Sequence, residues 1–123
     1  MEQDLEGISQ LASFENTLEN LDVHENILAV TAHEDGVLLY DISNPENPEY
    51  TSTIQAENAW AVVIDDYHIY VADGSILLDY FENELNGEYF LLSSLELSNA
   101  IKDIVIGDGY LYAAIGSDGV VAI

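Results

Sequence analysis

Three histidines, one lysine and 24 carboxylates are the side chains of this 123-residue chain best equipped for chemistry, and their spacing limits what they could do. His24 and His33 fall in turns at opposite ends of neighbouring strands, and His68 opens an apolar run. A transition-metal centre needs imidazoles that converge with a carboxylate. The spacing gives no such convergence, so all three read as solvated turn histidines and no metal ligand is assigned. Asp35-Gly36, Asp73-Gly74 and Asp118-Gly119 recur in corresponding turns. Calcium asks for about six to eight oxygens, whereas each of these turns offers one or two carboxylates, and turn chemistry accounts for Asp-Gly without a cation. A Gly-x-Ser-x-Gly nucleophile elbow is lacking. Gly107-Asp108-Gly109 is followed by a strand pattern where a dinucleotide site requires a helix. No catalytic or cofactor-binding residue is assigned, and the expectation is a protein that is not an enzyme.

Charge excludes whole classes of partner. The formal net charge is −23, with Lys102 the single basic residue. Such a polyanion is repelled by nucleic acid and by anionic lipid headgroups. Without cysteine there is no disulfide framework, thiolate metal site or cysteine nucleophile. A hydrophobic share of 49% is too apolar for a chain held open by its charge. No apolar run reaches the roughly 18 residues that span a bilayer, and Met1-Glu2-Gln3-Asp4 shows no export signal. Acidic residues gather at turns and strand ends, which suits a solvated shell. The shell and the scarcity of cations together look like salt adaptation, since screening relieves self-repulsion.

The elements that must position these residues are strands. Short Val, Ile, Leu and Tyr runs are punctuated by Asp, Asn, Gly and Ser, with no helical period. Strands are expected at 8–14, 18–23, 27–32, 37–42, 50–55, 59–64, 68–72, 76–81, 89–97, 101–106, 110–115 and 119–123. Residues 59–74 align without a gap on 101–116 at an offset of 42, and 21–32 align on 62–73 at an offset of 41. Three copies of 41–42 residues with about four strands each have the period of a β-propeller blade. Within Tyr110-Leu111-Tyr112-Ala113-Ala114-Ile115 both alternating faces are apolar, as in a strand covered on both sides by stacked blades.

The stretch Val37-Leu-Leu-Tyr-Asp-Ile-Ser-Asn-Pro-Glu-Asn-Pro48 resembles the LVIVD-repeat family of β-propellers through Asp41, Ser43, Asn44, Pro45 and Pro48. Tyr70-Val71-Ala72-Asp73-Gly74 resembles the family's preceding strand. The resemblance covers roughly residues 17–123 and is most specific in the first copy. The second copy carries Asp79-Tyr80-Phe81-Glu82-Asn83-Glu84 at this place, and the third stops at Ile123 before it. The resemblance implies an extracellular or cell-surface propeller with an adhesive or scaffolding role, and no catalytic residue. Physically, the matched residues are turn formers.

The expected fold is therefore all-β: one partial propeller domain over 1–123, with a leading strand at 8–14 and blade repeats at about 17–55, 59–97 and 101–123. Three blades do not close a ring. Ring completion calls either for missing blades in a longer parent chain or for a second copy, and the first is the favoured expectation. The leading strand could complete the last blade. Turns between second and third strands share an end with the blade-to-blade links. That end would gather Trp60, His33, Glu34, Asp35, Glu57, Asn58, Asp73, Asn99 and Asp118 as a candidate interaction surface for a protein or glycan ligand. Trp60 occupies the place of Lys102 in the third copy, so it either faces the channel mouth or packs between blades. The leading function is a non-catalytic binding or scaffold module. The alternatives are part of a hydrolase or lyase propeller with catalytic residues in other blades, and a homodimerising half-propeller.

Overall fold

The computed structural model describes residues 17–123; the expected leading strand at 8–14 lies outside them. Among the described residues, eleven strands form three antiparallel sheets. The first sheet contains β1 (Leu21–His24), β2 (Ile27–Thr31), β3 (Val37–Asp41) and β4 (Glu49–Ile54). The second contains β5 (Ala59–Ile64), β6 (His68–Asp73), β7 (Ile76–Glu82) and β8 (Tyr89–Glu96). The third contains β9 (Asp103–Gly107), β10 (Tyr110–Ala114) and β11 (Val120–Ala122). Each sheet is an up-and-down meander, ordered β1-β2-β3-β4, β5-β6-β7-β8 and β9-β10-β11.

The sheets stack through their first strands, with β5 lying against β1 and β2 on one side and β9 on the other. Alternation places Ala29, Val37, Leu39 and Ile54 of the first sheet against Val62, Ile64, Ile69 and Val71 of the second. The opposite face of the second sheet, with Ala61, Val63, Ala72 and Leu77, meets Ile101, Ile104, Leu111, Ala113 and Ile115. The inner strands of the second sheet are thus covered on both faces, which is why they read as continuously apolar. By contrast, β10, expected to be covered on both sides, leaves Tyr110 and Tyr112 exposed on one face. The outer strand β8 is exposed along most of its length.

Turn backbones repeat along with the strands. His33, Gly74 and Gly116 each open the turn after the second strand of their sheet, with φ of 50°, 62° and 65°. The link into each following sheet is tied to that residue: Ala59 N–H donates to His33 O at 2.9 Å, and Ile101 N–H donates to Gly74 O at 2.8 Å. The expected strand at 101–106 is β9, which begins at Asp103. Gly36, at φ 82°, is required by space as well: a Cβ there would stand 2.2 Å from Ile54 O.

Candidate functional site

All nine candidate residues lie at the end where links and second turns meet, but they do different jobs. The Asp73 carboxylate accepts Asn58 N–H at 2.8 Å and Glu57 N–H at 3.3 Å. Asp118 accepts the Ser98 hydroxyl at 2.8 Å, and Asn99 donates to Ser117 Oγ at 3.2 Å. These side chains satisfy backbone and hydroxyl groups in the links, where irregular chain would otherwise leave donors unpaired. Glu34, Asp35, Glu57 and Asn58 are exposed on the rim.

Trp60 is the centre of the remaining group. Its ring meets His33 edge-on at 5.2 Å between centroids, and the Lys102 ammonium stands 4.8 Å from its ring centre. The His33 ring sits between Asn58 Oδ1 at 3.3 Å and Glu19 Oε1 at 3.3 Å. By the repeat offsets, Glu19, Trp60 and Lys102 hold the same position in successive copies, just where each innermost strand begins. An acid, an aromatic and a cation thus line one edge of the stacked sheets, with His33 between the first two. Trp60 is half-buried and packs on the second apolar core. His33 holds a left-handed backbone where the other copies use glycine, a conformation that costs a non-glycine residue about 1–2 kcal/mol. Ring contacts and hydrogen bonds hold it there.

Asn20, Asp22 and Thr31 were not singled out from sequence as a group, and they secure the neighbouring strand edge. Asn20 Nδ2 donates to Trp60 O at 2.7 Å, Thr31 Oγ1 donates to the same carbonyl at 3.1 Å, and Asp22 Oδ2 accepts Ile64 N–H at 2.8 Å. The backbone carbonyl of Trp60 is therefore held by two donors.

At the opposite end, His24 Nε2 lies 2.8 Å from Asp66 Oδ1. His68 Nδ1 lies 2.7 Å from Asp79 Oδ1, with its ring stacked on Tyr70 at 5.4 Å and Phe81 edge-on at 4.9 Å. The His68 ring is engaged in packing. Burial, followed by the nearby Asp79 and Asp65 carboxylates, pushes the Tyr70 hydroxyl pKa up. Clefts of about 780 Å³ and about 330 Å³ open where the outer strands of adjacent sheets diverge. The family-like segment is a turn: Asp41 Oδ1 accepts Ser43 N–H at 2.8 Å and Asn44 Oδ1 accepts Glu46 N–H at 3.2 Å. The Ser43 N–H, with a further bond from the Ser43 side chain, holds the Asp41 carboxyl below its ordinary pKa.

No protein-family model and no curated protein matches the sequence. Among solved structures, the fold is similar to the crystal structure of the computationally designed Ika4 protein, with a TM-score of 0.52 and 13% identity, covering 100% of this chain and 98% of that one. At this identity the likeness speaks to fold alone. The chain is an all-β, propeller-like stack of three antiparallel sheets with four, four and three strands among the described residues.

Proposed function

We propose that the chain is a non-catalytic binding or scaffold module of the β-propeller type, related to the LVIVD-repeat proteins and working at a cell surface through the link end of its sheets. The observation that carries this reading is the Glu19–His33–Trp60–Lys102 row. A half-exposed tryptophan flanked by polar groups from all three sheets has the makings of an interaction hot spot. The surrounding rim is acidic, so a neutral glycan or a basic peptide suits it better than an anion.

Trp60 is the only tryptophan, which makes its emission a direct reporter of this surface. Titration with neutral oligosaccharides and with lysine-rich peptides is expected to give a saturable change in emission. His33→Gly keeps the turn backbone and removes the ring, so it is expected to abolish that change while the chain stays folded. A flat response to every probe would reduce the row to inter-sheet packing.

The ring is completed, on this reading, by further blades laid on the third sheet. Its outward face presents Val105, Tyr110 and Val120 at 53%, 55% and 70% exposure, with Tyr112 and Ala122 beside them. Apolar faces of this kind call for a neighbour. Light scattering at about 0.1 M and about 2 M salt, where screening differs strongly, separates the two sources. A discrete dimer would mean that a second copy supplies the blades, and a monomer at both salts would place them in a longer parent chain.

A further inference from the structure

The geometry points to a divalent metal site, of the zinc class, that clamps the first two sheets together at the end opposite the links. His24 closes β1, Glu25 follows it in the β1–β2 turn, and Asp66 lies in the β5–β6 turn. Their ligand atoms all stand within 4.8 Å of one another. One imidazole nitrogen and two carboxylate oxygens form a borderline donor set that suits zinc or nickel better than calcium, which prefers oxygen alone. Donors around a tetrahedral zinc, with bonds of about 2.0–2.2 Å, stand about 3.4 Å apart. His24 Nε2 and Asp66 Oδ1 are hydrogen-bonded at 2.8 Å, so they part by about 0.6 Å to share an ion. Glu25 is exposed and reaches in by side-chain rotation, leaving the remaining positions to water.

Two further observations favour an ion over a bare hydrogen-bonded pair. The first is charge. The chain's single Lys102 sits at the link end against Trp60, so no lysine or arginine neutralises the two carboxylates at the turn end. A chain of net charge −23 also concentrates cations around itself. The second is pre-alignment. Asp22, two residues before His24, binds Ile64 N–H two residues before Asp66, so the two hairpins that carry the donors are fixed in register before any ion arrives. Glu25 and Asp66 are equivalent positions of adjacent copies, which explains why stacking the sheets brings them side by side.

The test is calorimetric titration of the full chain with zinc chloride, with millimolar magnesium present to occupy non-specific carboxylates, alongside a thermal melt. One site per chain is expected, with a melting point raised by about 5 °C or more near saturation. His24→Ala is expected to weaken binding at least about tenfold and to remove most of that rise, with a smaller loss in Glu25→Gln. Both residues lie at the surface, so both variants should fold; the melt without metal verifies this. Absence of saturable binding, several weak equivalent sites, or unchanged affinity in folded His24→Ala would each overturn the site.

Discussion

The two inter-sheet interfaces are built from copies of one repeat yet are held by different forces. Between the first and second sheets, Asn20, Thr31 and Asp22 bond to the free edge of β5 at Trp60 and Ile64. Their equivalents at the second interface are Ala61, Ala72 and Val63, which can make no such bonds, and that contact is an apolar core joined by the Ile101–Gly74 backbone bond. Burial is non-directional, whereas a side chain bonded to a particular carbonyl or N–H fixes one register. The first interface therefore carries three register-fixing side chains that the second lacks. An unpaired strand edge must be satisfied or wetted, and sheet one does this for β5 with three side chains.

The largest expected effects come from truncating the cores. Ile69 and Ile101 are both fully buried, one at each interface, and Ile→Ala at either should cost about 2–5 kcal/mol. The comparison predicts different outcomes. Hydrogen exchange of Ile101→Ala should show the third sheet opening on its own, whereas Ile69→Ala should lower protection across the first two sheets together. Uniform loss in both variants would mean that the interfaces are equally cooperative. Next in size is Asp22→Ala, which leaves the partly buried Ile64 N–H without its charged acceptor and should cost about 1.5–3 kcal/mol in denaturant unfolding. Val63→Ala at the equivalent place should cost less if directional bonding is what distinguishes the first interface. The smallest effect is that of salt. Raising sodium chloride to molar levels should lift the melting point by a few degrees by screening the −23 charge, and the lift should persist in Asp22→Ala because it does not depend on one bond. A fall would count against salt adaptation.

Much of this architecture was legible because strand alternation and repeat offset are properties of the sequence itself. The expected strand at 59–64 coincides with β5, and most others agree to within a residue or two. Lys102 was expected inside a strand and lies in the link, although its repeat equivalent Trp60 lies inside β5, so the local pattern did not separate the two. The clustering of Trp60 with His33 at the link end followed from up-and-down topology. The contact of Lys102 with Trp60 was half visible, since the two align in the repeat, but equivalence in register does not say that one side chain reaches the other. The same limit hid His24. Its partner Asp66 aligns with Glu25 rather than with His24 itself, so the repeat offset does not pair them.

Lys102 also makes the chain chemically addressable. As the sole lysine or arginine, it is the only place where trypsin can cut, and the cut falls between the second and third sheets. Its own N–H is bonded to Ala114 O at 2.8 Å, so a protease can seat the bond only when β10 lets go of the link. The rate of that single cleavage is a clock for detachment of the third sheet, readable on a gel without labels or mutations.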